Sequence, residues 1–267
     1  MKFIKKFKGA KNAEVNLVEI EGKLWVHKKE DAKSSLNEIA FYKELKKNKL
    51  PSLQIFEDLD LPEDEIVVEY IESSPPVSDT IEDYELWGKT LKQLHGIKYP
   101  TATVLRDDGF INLDVDSEYS KEISKAKEII VEGKYFSDGQ SEQIAKYLTE
   151  RLSKLELSYC LVHGDMHSAN VLKRGNELVL FDKSPSQWSF TPLIDLAIVM
   201  LEVPNGYLVS TNLPEYQNDT ALREAFLKGY GDVDLEEVRV FAQLEAVKRI
   251  NNSHEPLNPE VVKTILK

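Results

Sequence analysis

The 267-residue chain has one cysteine, no long apolar run and a shortage of positive charge, and each lack excludes something. With Cys160 alone, no internal disulfide framework can form, which fits a reducing compartment. No stretch approaches the ~18 consecutive apolar residues of a membrane span. The lysine-rich start, residues 1–11, has no long apolar segment behind it. No secretory signal is read there, so the expected address is cytoplasmic with no membrane partner. Lys+Arg number 34 against Asp+Glu 46, a formal charge of −12. A nucleic-acid-binding face would need the opposite surplus, so no nucleic acid is expected as partner. A cationic ligand is compatible with this acidity, as is plain solubility. Internal repeats, low-complexity tracts and long linkers are also missing. What remains, 42% hydrophobic and 30% charged residues, is an ordinary globular balance.

Read in order, residues 14–20 and 23–28 pattern as strands joined by the turn Glu21-Gly22. An amphipathic helix is expected over 33–48, with Leu36, Ile39, Ala40 and Leu45 on its apolar face. Residues 53–56 and 65–71 read as two further strands, the first short. Ser73-Ser74-Pro75-Pro76 then breaks the pattern. The remainder is mostly helical: 84–97, 117–131 and 139–157, with Ser-Asp-Gly-Gln as the break between the last two, and then 220–230, 235–251 and 259–266.

Between these helical runs lies Leu161-Val162-His163-Gly164-Asp165-Met166-His167-Ser168-Ala169-Asn170-Val171-Leu172, followed by Leu178-Val179-Leu180-Phe181-Asp182. Lys173-Arg174-Gly175-Asn176 reads as the turn joining them into a hairpin. Cys160, His163 and His167 could suggest zinc, but a closed site would need distant partners, because no second cysteine exists. A polar turn with Asp and Asn as mere caps explains neither the full string nor Phe181-Asp182.

The string resembles the catalytic loop of protein-kinase-like phosphotransferases. With glycine between His163 and Asp165, it is similar to the aminoglycoside phosphotransferase and choline kinase superfamily. The resemblance implies an α+β, bilobal protein-kinase-like fold. A small N-terminal antiparallel β lobe with one helix, residues 1–74, would bind nucleotide. A larger, mostly helical C-terminal lobe, residues 75–267, would carry catalysis and the acceptor. It implies Mg²⁺-dependent transfer of the γ-phosphate of ATP (or GTP) to a hydroxyl of a small molecule. Aminoglycosides, amino alcohols and sugars are acceptors within the superfamily.

Roles follow from the same resemblance. Asp165 would be the catalytic base, and Asn170 and Asp182 the metal ligands. Lys28 would meet the α- and β-phosphates. Lys29 is its rival, but neighbouring side chains on a strand face opposite ways, and the family pattern favours Lys28. Glu38 would pair with that lysine. The backbone at Glu69 and Ile71 would meet the adenine edge. Residues 9–13 would form the phosphate-covering loop, although a surface turn explains them equally. Asp195 would support the catalytic loop, and His95 reads as a core or capping residue. After Asp182 the chain departs from the family: Lys183-Ser184-Pro185 stands where a second acidic residue is common. Trp188 and Phe190 either wall a substrate pocket or pack inside. The competing reading is a nucleotide-binding pseudokinase or interaction module without turnover.

Overall fold

The computed structural model describes residues 1–7, 13–72, 80–132, 137–155, 157–202 and 220–250. In chain order come β1 (Lys2–Lys6), β2 (Glu14–Ile20), β3 (Lys23–Lys29), α1 (Ala32–Lys47) and β4 (Glu65–Glu69). Next are α2 (Ile81–His95), β5 (Lys98–Tyr99), β6 (Thr103–Arg106), β7 (Gly109–Asn112), α3 (Val115–Glu132) and α4 (Asp138–Leu152). β8 (Tyr159–Leu161), a 3₁₀ turn (Ser168–Asn170), β9 (Val171–Arg174) and β10 (Glu177–Leu180) follow. β11 (Ser189–Phe190), α5 (Leu193–Glu202), α6 (Thr220–Tyr230) and α7 (Leu235–Ile250) complete the set. The expected phosphate loop apart from Ala13, the 73–76 break with its boundary after residue 74, and the helix over 259–266 lie outside the described residues. Among the described residues no helix is long and apolar enough to cross a membrane.

The chain divides into two compact units. One comprises Met1–Ser78, Val104–Ile111 and His163–Trp188; the other comprises Asp79–Thr103, Asn112–Val162 and Ser189–Lys267. In the first, β1-β2-β3-β4 form an antiparallel sheet in that order. Ile20 pairs with Lys23, so β2 and β3 are joined by the expected two-residue turn, Glu21 (φ 53°) and Gly22 (φ 77°). Positive φ at both places gives the twist that such a hairpin needs. Val18, Ile20 and Val67 form a core against which Trp25, Phe56, Leu59 and Leu61 pack. The strand expected over 53–56 reduces to a single bridge, Ile55 to Val68. The bonds from Glu69 N–H to the Gln54 carbonyl and from Phe56 N–H to the Val67 carbonyl extend it along the backbone.

Asp31 caps α1, accepting the Ser34 N–H at 3.0 Å. Its buried face corrects the expected one. Ser35, Asn37, Glu38, Phe41, Tyr42 and Leu45 are buried, whereas Leu36, Ile39 and Ala40 are only half-buried. The helix turns polar groups inward because Glu38 has partners there. β9 and β10 pair antiparallel with a turn of only Gly175-Asn176; Lys173 and Arg174 belong to the strand.

In the second unit, β8 pairs antiparallel with β5 and β11, and Ser189 of β11 also pairs with Thr103. The expected break at Ser-Asp-Gly-Gln is instead the start of α4. Ser137 and Gln140 form a capping box, each side chain bonding the other's backbone N–H. Cys160 is buried, its Sγ 3.6 Å from the Phe190 carbonyl, and burial pushes its thiol up to about 12. His95 is buried between the Tyr230 hydroxyl (2.8 Å) and the Asp195 carboxylate (3.1 Å), a structural knot of α2, α5 and α6. Phe190 packs edge-on to Tyr119 within this core rather than lining a pocket.

α2 and α6 meet through glycines. A Cβ on Gly88 would lie 2.1 Å from the Phe226 carbonyl oxygen, and one on Gly229 would lie 2.0 Å from that of Glu85. Neither backbone can yield without parting the helices. Gly88→Ala should therefore cost about 3 kcal/mol in chemical denaturation, the upper end for overpacking. A loss no larger than that of an exposed substitution would contradict this packing.

Candidate active site

The candidate site lies within the first unit and is built on two short segments, the end of β3 and one helix, α1. His163 starts the first segment. It is buried, with Nε2 2.7 Å from the Phe181 carbonyl and its ring edge-on to Phe41. Gly164 follows at φ 78°, and a Cβ there would press on Ser184 Cβ at 3.0 Å. Its backbone thus needs glycine twice over. The loop then turns back on itself. Asn170 Nδ2 donates to the Asp165 carbonyl at 2.9 Å and approaches its carboxylate at 3.3 Å. His167 Nε2 lies 3.4 Å from the same carboxylate. The Asp165 side chain is 47% exposed, open to an incoming group. Phe181 N–H bonds the Asn170 carbonyl at 3.1 Å, which brings Asn170 beside the residue preceding Asp182.

Lys28 and Glu38 organise the other half. Lys28 Nζ donates to Asp182 Oδ1 at 2.5 Å and Glu38 Oε2 at 3.2 Å, and pairs with Glu30 Oε2 at 3.0 Å. Burial pulls the Lys28 ammonium toward neutrality. The charges of Glu38, Asp182 and Glu30 outweigh that and hold its pKa well above the ordinary value. Lys29 faces away and pairs with Asp64 and Glu65. Buried Glu38 uses both oxygens: Oε2 takes Lys28, while Oε1 accepts the Tyr42 hydroxyl and the Asp182 N–H, each at 2.9 Å. Asp182 is in the left-handed region, φ 59°, and the Glu38 bond to its N–H holds it there.

These residues fit a magnesium ion by donor chemistry. Asn170 and Asp182 supply hard oxygens, few in number, and the Asp182 side chain is 49% exposed, leaving room for phosphate and water ligands. The ligand oxygens of Glu30, Glu38 and Asp182 also lie within 4.8 Å of one another, but the Lys28 ammonium already neutralises part of that cluster.

The family model described as the phosphotransferase enzyme family matches residues 12–241. The chain belongs to the phosphotransferase enzyme family. Its fold is also that of solved kinases. ADP-bound aminoglycoside phosphotransferase APH(2'')-Ib is 17% identical, with TM-score 0.66 over 100% of this chain and 93% of that one. The streptomycin-ATP-APH(2'')-IIa ternary complex is 17% identical, with TM-score 0.63 over 94% and 86%. Choline kinase LicA from Streptococcus pneumoniae is 17% identical, with TM-score 0.61 over 99% and 85%. No curated protein sequence matches the chain.

In this phosphotransferase the Lys28 hydrogen bonds reach neither Glu69, the last residue of β4, nor Ile71, two places beyond it. Glu69 is tied elsewhere. Its N–H bonds the Gln54 carbonyl at 2.8 Å, and its carboxylate takes Arg174 Nη1 at 2.8 Å. Arg174 thereby links the β9–β10 hairpin to β4, a long-range pair with no signal in the sequence. Glu30 was missed in the sequence, though its place two residues from Lys28 on an extended backbone, and hence on the same face, could have found it. Tyr42 was missed too, and its signal was its place one helical turn beyond Glu38. The departure at Lys183 has a structural use. Its buried ammonium bonds the Ser184 carbonyl at 2.8 Å and also the Gln187 carbonyl, and lies over the Trp188 ring at 5.4 Å. Trp188, 1% exposed and beside Phe110, packs inside rather than walling a pocket.

Burial pushes the Glu30 carboxyl up to about 7, the Glu38 charge adds to this, and Lys28 opposes it. The folded chain therefore keeps a proton there that the unfolded chain, near 4.5, has released. The associated stability is fully present below the unfolded value and is lost as pH rises through about 7. Glu30→Gln should flatten the decline in denaturant stability between about pH 5 and 8. An unchanged slope would assign that decline to other groups.

Proposed function

We propose that the protein transfers the γ-phosphate of ATP or GTP, in a Mg²⁺-dependent reaction, to a hydroxyl of a small molecule such as an aminoglycoside, amino alcohol or sugar. The observation that carries this reading is the double use of Glu38, which holds the Lys28 ammonium and the Asp182 backbone on one carboxylate. A binding module has no need to fix a phosphate-reaching lysine against a metal-ligating aspartate. The acceptor hydroxyl attacks the γ-phosphorus and the bond to the bridging oxygen breaks. Asp165 orients the hydroxyl and takes its proton late, and the nucleoside diphosphate leaves. Lys28 steadies the α- and β-phosphates, and Asn170 and Asp182 hold the metal. Magnesium, when bound, neutralises charge on the phosphate oxygens. Of the two backbone groups of Glu69, the N–H is committed to Gln54, so the carbonyl is its group for an adenine edge, with the Ile71 N–H as the second. Residues 1–74 supply this nucleotide side, and 75–267 supply the catalytic loop and the acceptor side.

The reading is checked by following nucleoside diphosphate release with Mg²⁺ and ATP or GTP against a panel of hydroxyl compounds. Release stimulated by one compound class is the expected result and names that class. Nucleotide binding that no compound turns into release would favour the pseudokinase reading, and failure to bind nucleotide would remove both.

A further inference from the structure

Three carboxylates hold Lys28 where the transfer chemistry uses two. Glu38 fixes the ammonium and Asp182 is the metal ligand, which leaves Glu30 without a part in the reaction. Its side chain is only 8% exposed, with Oε2 3.0 Å from Lys28 Nζ. It is also held in place: its N–H bonds the Asp64 carbonyl at 2.9 Å, and the buried Ser35 hydroxyl donates to Oε1 at 3.5 Å. With Glu30 ionised, one ammonium against three carboxylates leaves a surplus of negative charge where a polyphosphate must arrive. In a partly buried site that repulsion is damped far less than in water.

We propose that Glu30 is an anion-rejecting residue that makes nucleotide binding depend on a divalent cation. Bare nucleoside polyphosphate is repelled from Lys28, and the less negative metal-loaded form is admitted. The inference rests on the phosphotransferase reading and adds to it a control on which form of the nucleotide enters. The plain alternative is a strut: Glu30 joins the end of β3 to the first turn of α1 through Ser35.

Calorimetric titration of the full chain with ADP, in EDTA and again in excess Mg²⁺, separates the two in mildly alkaline buffer, where the carboxylate is ionised. Glu30→Gln keeps a hydrogen-bond acceptor for Ser35 and loses the charge. It should tighten metal-free ADP by roughly tenfold while changing Mg²⁺-ADP by no more than about twofold. Glu30→Asp, with the charge kept, should stay near wild type. Glu30→Ala should also tighten metal-free ADP, whereas a strut alone would make it weaken both forms. An unchanged ratio of metal-free to metal-loaded affinity in Glu30→Gln overturns the inference and leaves the phosphotransferase reading intact. Wild-type protein that binds ADP in neither buffer overturns both.

Discussion

Asp165→Asn should lower kcat by about 10²–10⁴-fold while leaving nucleotide affinity within about twofold of wild type. The substitution is nearly isosteric, and the side chain is half-exposed, so no buried group is stranded. The Asn170 bond to the residue 165 carbonyl survives, because it is made to backbone. In the proposed reaction, what disappears is the ability to take the acceptor's proton and to aim its oxygen. Steady-state kinetics beside a nucleotide titration separate these effects. A rate within a few-fold of wild type would show that Asp165 is not the base, and a parallel loss of nucleotide affinity would show that it acts in binding.

Glu38→Ala should be nearly as damaging, by another route. It removes an acceptor from three donors at once: Lys28 Nζ, the Tyr42 hydroxyl and the Asp182 N–H. Lys28 keeps Glu30 and Asp182, so its charge is not stranded. Tyr42, fully buried, and the Asp182 N–H are left without that partner, at about 1–3 kcal/mol each before relaxation. We expect a stability loss of about 2–4 kcal/mol together with a drop in kcat/KM of roughly 10²-fold or more. Glu38→Gln should recover most of the stability, because its amide oxygen can still accept, and little of the activity. Equal recovery of both would mean that Glu38 is only a core residue.

Contiguous chemistry was legible from the residues themselves, whereas long-range chemistry came through the family resemblance or not at all. The loop from His163 to Asn170 closes through bonds spanning a few residues, so its order on the chain nearly is its geometry. The same holds for the Glu21-Gly22 turn. Strand alternation showed that only one of Lys28 and Lys29 could face the site, and the family pattern chose Lys28. The buried face of α1 was misread because apolar periodicity marks a helix face only where the core is apolar. Here Ser35 and Glu38 turn inward toward charged partners. Ser137-Asp138-Gly139-Gln140 read as a break because small polar residues serve both loops and caps. The Arg174–Glu69 pair, 105 positions apart, could come only from the fold. Lys183 shows the reverse: a departure from the family string that leaves Asp182 in place, because its ammonium is spent on the carbonyls of its own loop.

The most direct measurement is of the phosphoryl group itself. Purified protein is incubated with Mg²⁺, γ-labelled ATP or GTP and the acceptor that stimulates release, and the acceptor is then recovered and its label counted. One phosphoryl group on an acceptor hydroxyl is expected, matched by one nucleoside diphosphate and absent with Asp165→Asn. Label released only as inorganic phosphate, or acceptor labelled equally by the Asp165→Asn protein, would contradict it.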